Sequence, residues 1–255
     1  MADTDSHSSM DSIRKILRGA TTCALFALFG IGAVLLAPLI LLLGSTERCQ
    51  PIVRSAWTLL VWIFIRTNLI RLDRGNLPDC RGTIIVASHP SLIDVVLLTV
   101  LIPRSLSVAK PSVRTNPFMG VEARAVVIPG GAENLGRVAA CLKRGWNVII
   151  FPEGTRSPFR GDDPGDRRIS LHPFQRGAAQ LALRTGAPIV CVGIWQSRRI
   201  LAKRQPVWDM GTGPVTYAFR ADAATVERPR PGESPHVAAC RLTAELERRV
   251  KGLLI

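Results

Sequence analysis

From Ala20 to Gly44 the chain runs for 25 residues without a charged side chain. As a helix rising ~1.5 Å per residue this stretch is ~37 Å long, more than a bilayer's ~30 Å hydrocarbon core. Arg14, Lys15 and Arg18 stand just before it, as basic residues precede a secretory leader. The run is too long for a leader's apolar region of roughly 7 to 15 residues, and no small-residue cleavage site follows. Pro38 and the glycines inside it are tolerable where neighbours re-satisfy the backbone. The expectation is a membrane-embedded helical segment, preceded by a polar tail over residues 1–19.

A polar break follows at Glu47, Arg48, Gln50, Pro51 and Arg54, and then Ser55 to Ile65 is again uncharged. Eleven residues cannot span, but Trp57 and Trp62 suit a headgroup boundary. An interfacial or re-entrant helix is expected, with Arg66, Arg71 and Arg74 facing anionic headgroups. Basic residues flank the long segment on both sides, so their distribution does not set orientation. A hairpin that dips in and returns is favoured over a single span. Residues 20–76 are therefore assigned to membrane-embedded and interfacial helices, and residues 77–255 to a globular domain.

The composition agrees with a lipid setting. The hydrophobic fraction is 47%, mean hydropathy is +0.22 and the net charge is +14. Such a balance attracts anionic headgroups, nucleic acid or acidic carriers. Aromatic residues make up only 5%, with Tyr217 the one tyrosine, which leaves little for base stacking. No nucleic-acid-binding signature is present, so nucleic acid is the weaker partner. Cys23, Cys49, Cys80, Cys141, Cys191 and Cys240 are scattered without a Cys-x-x-Cys pair. That pattern fits neither a disulfide framework nor a structural zinc site.

Beyond Leu77-Pro78, strand-like and helix-like runs alternate. Strands are expected at Thr83–Ala87, Leu106–Ala109, Ala125–Ile128, Asn147–Phe151, Pro188–Ile194 and Val215–Arg220. Helices are expected after Pro90, over Ala132–Arg144 with Gly145 as its cap, over Gly177–Thr185, and after Ser234-Pro235. Leu135, Val138, Ala139 and Leu142 make a core stripe, as do Leu242, Leu246, Val250 and Leu253. Alternation of this kind gives an α/β domain with a mixed, partly parallel sheet flanked by helices. Ser157 to Pro173 is a charged loop containing Gly161, Pro164 and Gly165, with His172 taken as ordinary surface.

Two polar breaks carry chemistry. The first is Gly82 to Val96, where an apolar strand gives way at His89 to a second apolar run. Pro90 biases His89 towards extended backbone and suits the first position of a helix. His89 then sits at a helix mouth with Asp94 about one turn inside. Imidazole accepts a proton near neutral pH, and a carboxylate on its other nitrogen fixes the tautomer. The second break is Asn147 to Ser157, a strand ending in Pro152, Glu153, Gly154, Thr155 and Arg156. Glycine there permits close backbone approach, and the Arg156 fork matches phosphate or carboxylate.

SHPSLID and FPEGTRS together resemble the glycerophospholipid acyltransferase family, of the 1-acyl-sn-glycerol-3-phosphate acyltransferase type. His89 and Asp94 match its histidine–aspartate motif, and Phe151 to Ser157 matches FPEGTRS throughout. Phe174, Arg176 and Gly177, and then Gly186 to Val190, are similar to its following elements. The resemblance covers roughly Gly82 to Gly193. It implies a single α/β acyltransferase domain in which His89, oriented by Asp94, takes the proton of an acceptor hydroxyl. Glu153, Gly154, Thr155 and Arg156 would position the acceptor's headgroup. The donor would be acyl-CoA or acyl-ACP (acyl carrier protein), used as co-substrate, with no cofactor and no metal. The acceptor would be a lysophospholipid, 1-acyl-sn-glycerol-3-phosphate, in a cytoplasmic membrane with the catalytic domain facing the cytoplasm.

Two departures stand against the pattern. Ser88 replaces the usual asparagine before the histidine. The stretch Ala125 to Gly130 lacks the basic residue that normally ends the second motif. Separately, Lys110 lies at a position where the family often has a lysine, which makes it a candidate pocket residue, with a solvated surface lysine the favoured reading. Other acceptors therefore stay open, such as an ornithine lipid, an aryl-polyene lipid or another envelope lipid. An inactive, membrane-docked lipid-binding relative is the reading from a different class.

Overall fold

The structure, a computed structural model, describes residues 2–44, 46–111, 113, 120–159, 169–224 and 230–254. Gly161, Pro164 and Gly165 of the charged loop, and Pro117 to Met119, lie outside the described residues.

Two helices lead. Helix α1 (Ala2–Leu43) ends at Gly44, whose φ of +63° turns the chain, and α2 (Thr46–Arg66) returns antiparallel to it. Phe26 meets Phe64 edge-to-face, and the Cys49 thiol reaches the Ile40 carbonyl at 3.5 Å. The two helices thus pack side by side as a helical hairpin. Residues 2–19, expected as a polar tail, are instead the opening turns of α1. Ser9–Leu43 is one helix long and apolar enough to cross a membrane, by length and composition.

Strands β1 (Ile70–Asp73), β2 (Ile84–Ala87), β3 (Ser105–Ala109), β4 (Val127–Pro129), β5 (Asn147–Ile150), β6 (Ile189–Gln196) and β7 (Val215–Ala224) form one sheet. Its order is β1-β7-β6-β2-β5-β3-β4. All pairs are parallel except β6–β7. The mixed, partly parallel sheet is as expected. Helices α3 (Asp94–Leu101), α4 (Gly120–Val126), α5 (Leu135–Lys143), α6 (Gly177–Thr185) and α7 (Pro235–Gly252) complete the domain.

Strand period explains the three layers. Alternate side chains point to opposite faces, so a strand covered on both sides must be apolar throughout. In β2, Ile85 and Ala87 join a core built with α1 to α4, whereas Ile84 and Val86 join a second core built with α5, α6 and α7. All four are fully buried. The stripes of α5 and α7 fill the second core, and Ser234 caps α7 by accepting from the Val237 N–H at 3.3 Å.

Several boundaries move. β1 belongs to the sheet, so the globular domain starts before residue 77. Trp57 is buried beneath α3 and α4 and is no headgroup anchor, whereas Trp62 is exposed with the Arg66 guanidinium over its ring. Arg74 pairs with Asp79. The strand expected from Ala125 begins only at Val127, because α4 continues through Val126 and buries Ala123 and Ala125 beside α1 and α2.

Candidate active site

The carboxyl ends of β2, β5, β3 and β4 lie side by side, and open α/β sheets bind ligands at that edge. His89 follows β2, Phe151 to Ser157 follow β5, Lys110 follows β3 and Gly130 follows β4.

Pro90 does not open a helix here. Residues 90–93 form a turn, and α3 starts at Asp94 itself. The reason is the carboxylate. Asp94 Oδ2 accepts from the Ser91 N–H at 2.6 Å, and Oδ1 accepts from the Ser91 hydroxyl at 2.5 Å. The carboxylate thus reaches back three residues to the Ser91 N–H, as the acidic residue of a capping box does, and holds the turn that precedes α3. Oδ2 also lies 2.9 Å from His89 Nδ1. Asp94 is fully buried, and a buried charge is tolerable only with such a set of donors. An ionised carboxylate only accepts, so Nδ1 carries the proton and Nε2 keeps its lone pair. That is the tautomer of a general base.

Behind this pair stands support that the sequence reading missed. The Tyr217 hydroxyl donates to Ser91 Oγ at 3.2 Å. Burial, reinforced by the Asp94 charge, pushes the Tyr217 phenol well above its ordinary pKa, so it remains a neutral donor. The His89 ring stacks on Phe151, with centroids 4.3 Å apart. Ser88, in the usual asparagine's place, is fully buried and accepts from the Ile194 N–H at 2.9 Å. Serine before histidine was visible in sequence as a mild change, but Tyr217 reaches Ser91 from a strand 126 residues further along the chain.

The FPEGTRS segment divides in two. Gly154 and Thr155 line the same cavity as His89. Gly154 has φ of +65°, a conformation that favours glycine. Glu153 and Arg156 are engaged elsewhere. The Glu153 carboxylate accepts from the Ser157 hydroxyl and from the His172 N–H at 2.8 Å. His172 is thus part of the site's frame through its backbone. Burial raises the Glu153 pKa above its ordinary value, partly offset by these donors. Arg156 Nη1 donates to the carbonyls of Leu201 and Ala202 at 3.0 and 2.9 Å. One nitrogen of the expected headgroup fork is thus spent on the protein's own backbone.

The cavity at His89 holds about 400 Å³ and is lined by Trp57, Leu92, Val96, Val108, Lys110 and Phe151, among others. Among the described residues Lys110 is its one lysine or arginine. Leu92 and Val96 also line an entirely apolar groove of about 730 Å³ against Phe26, Phe29 and Val34 of α1. Among the described residues no three His, Cys, Asp or Glu side chains cluster as metal ligands.

Comparison with known proteins adds a family signal. The family model described as Acyltransferase matches residues 69–195. A 1-acyl-sn-glycerol-3-phosphate acyltransferase of Cocos nucifera is 34% identical over 171 residues, 63% of this chain and 51% of that protein. One of the same name from Pseudomonas aeruginosa is 26% identical over 196 residues, covering 72% and 71%. The crystal structure of the 1-acyl-sn-glycerophosphate acyltransferase PlsC from Thermotoga maritima superposes with a TM-score of 0.59 at 21% identity. That match covers 92% of this chain and 95% of the other. The chain spans about half the length of the plant relatives it matches, 51% and 55% of the first two.

Proposed function

The chain belongs to the acyltransferase family, and on that premise we propose that it moves a fatty acyl group from a thioester to a lysophospholipid hydroxyl. The acceptor is 1-acyl-sn-glycerol-3-phosphate and the product phosphatidic acid. The donor is acyl-CoA or acyl carrier protein. The observation that carries this is the His89 Nδ1–Asp94 Oδ2 contact at 2.9 Å, set at the wall of a cavity that shares Leu92 and Val96 with an apolar groove.

His89 Nε2 removes the acceptor's hydroxyl proton as the oxygen attacks the thioester carbonyl. The new C–O bond forms, the C–S bond breaks, and the imidazolium returns its proton to the departing thiolate. Asp94 stabilises the cation in between. Base assistance of this kind contributes roughly 10²–10⁴-fold in rate. Lys110 offers a point charge for the acceptor's phosphate. Gly154 and Thr155 let that headgroup approach the backbone, while Glu153 and Arg156 hold the surrounding loops. Acyl chains occupy the groove along α1, so the reaction takes place at a membrane's edge with α1 embedded, the catalytic domain on the cytoplasmic side.

The test is acyl transfer by the purified full chain in detergent or vesicles, with labelled oleoyl-CoA or oleoyl-carrier protein and a panel of lysolipids. His89→Ala should lose measurable transfer and thiol release while still partitioning to membranes. Retained activity in that variant would end the assignment, and a preferred acceptor without a phosphomonoester would move it to another envelope lipid.

A further inference from the structure

The loop between β6 and β7 is tied to the catalytic turn. The Leu201 carbonyl accepts from the Leu92 N–H at 2.9 Å and from Arg156 at 3.0 Å. Leu201 holds φ of +52°, a conformation costly for a leucine, and its side chain is buried. The loop is also pinned to α1. Asp209 pairs with Lys15 at 3.5 Å, and the Trp208 backbone packs so closely on Gly19 that a Cβ there would stand 2.5 Å from the Trp208 carbonyl oxygen. Gly19 immediately precedes the uncharged run of α1.

At that level the loop presents an unusual surface. Trp208 is 62% exposed. Arg199, Lys203 and Arg204 surround a shallow depression beside it, with Gln205, Pro206 and Asp209. Its one carboxylate, Asp209, is engaged by Lys15 and by the Gln205 amide at 3.1 Å. Val207, one residue before the tryptophan, lines the apolar groove against α1.

We propose that Arg199, Lys203, Arg204 and Trp208 form a second membrane contact that docks on an anionic lipid surface and fixes the catalytic turn against it. The inference rests on the reading that α1 is embedded. A lipid surface fits better than an acidic protein for two reasons. The exposed indole and the cations lie where α1 passes from basic to apolar, the depth that tryptophan prefers. The loop is also continuous through Val207 with the apolar groove, which an acidic protein surface would not extend.

The experiment compares vesicles of phosphatidylcholine with vesicles containing phosphatidylglycerol, using the full chain. Subtracting the emission of Trp208→Phe from wild type isolates Trp208 among five tryptophans. On anionic vesicles that difference signal should shift to the blue and be quenched by lipids brominated near the headgroup. Lys203→Gln with Arg204→Asn removes two exposed cations; asparagine tolerates the φ of +66° at position 204. Each cation near an anionic surface is worth about fivefold in partitioning, so the double variant should bind anionic vesicles about 25-fold more weakly at low salt and bind neutral ones as wild type does. Equal partitioning of the two proteins, or a Trp208 that stays accessible to aqueous iodide on anionic vesicles, overturns the docking surface alone. A wild type that partitions to neither vesicle overturns the embedding of α1 as well. Binding of acyl carrier protein that depends on Lys203 and Arg204, without vesicle dependence, overturns the choice of a lipid partner.

Discussion

His89 and Ser157 exchange two hydrogen bonds across 68 residues of chain. The His89 N–H donates to Ser157 Oγ at 3.0 Å, and the Ser157 N–H donates to the His89 carbonyl at 2.7 Å. The Ser157 hydroxyl in turn donates to Glu153. The last residue of FPEGTRS therefore staples that segment to the catalytic turn, and the two motifs act as one frame.

Ser157→Ala cuts one of those bonds and leaves both the His89 N–H and the Glu153 carboxylate short of a partner. Unmet buried groups cost about 1–3 kcal/mol each, so the melting temperature should fall measurably. Displacing the imidazole by ~1 Å costs roughly 10²-fold in rate, so kcat should drop well beyond any change in KM. A variant that melts lower yet turns over normally would show the staple to be structural only.

Asp94→Asn tests the tautomer. An asparagine can turn its amide N–H towards His89 Nδ1, which would place the imidazole proton on Nε2 and remove the base. Transfer should fall by roughly 10²–10⁴. The amide oxygen can still accept from the Ser91 hydroxyl, but the Ser91 N–H, which shared Oδ2 with His89, loses its acceptor. The melting temperature should therefore fall as well, while far-ultraviolet circular dichroism stays unchanged. Activity within tenfold of wild type would mean that Asp94 shapes the turn and leaves the proton to others.

Tyr217→Phe removes the outermost donor of the chain Tyr217–Ser91–Asp94–His89. The ring keeps its packing, so the stability loss should be near 1 kcal/mol. Tyr217 does not line the cavity at His89, so kcat should fall several-fold with KM unchanged. A change confined to KM would place the tyrosine's influence on substrate binding instead.

Much of this arrangement could be read from the chain because it is local. Period-2 burial in β2, the cap at Ser234-Pro235 and the spacing of His89 and Asp94 depend on neighbours within a few residues. Six of the seven strands were legible too, since strand and helix patterns alternate, but β1 was hidden in a stretch assigned to the membrane. What stayed hidden depends on partners brought together by the fold. The arginine of FPEGTRS looks like a free fork until the loop at Leu201 supplies two carbonyls for it. Trp57 has an interfacial look in an uncharged run, yet α3 and α4 cover it. Pro90 suggests a helix start, but the Asp94 side chain folds back onto Ser91 and holds a turn there, ahead of the helix. The one tyrosine offered no sign that it would reach Ser91 from another strand.

Glu153→Gln gives a prediction with a definite sign. Glu153 is 5% exposed, and burial raises its pKa above the ordinary 4.5 despite the donors at Ser157 and His172. Above pH ~4.5 the unfolded chain has lost a proton that the native state still holds, so the unfolded state binds fewer protons and stability falls as pH rises. The stabilisation is thus fully present below the ordinary value and is lost as pH climbs through the raised native one. A glutamine at this position does not titrate. Its oxygen can face the His172 N–H and its amide can donate to Ser157 Oγ, which leaves the Ser157 hydroxyl hydrogen without its Glu153 acceptor, a cost that does not vary with pH. Melting temperatures of both proteins from pH 4 to 8 should show wild type losing ground to Glu153→Gln across the window just above pH 4.5, then running parallel. A difference that is flat, or that grows in favour of wild type with rising pH, would mean that the Ser157 and His172 donors outweigh desolvation and that the carboxylate is held ionised.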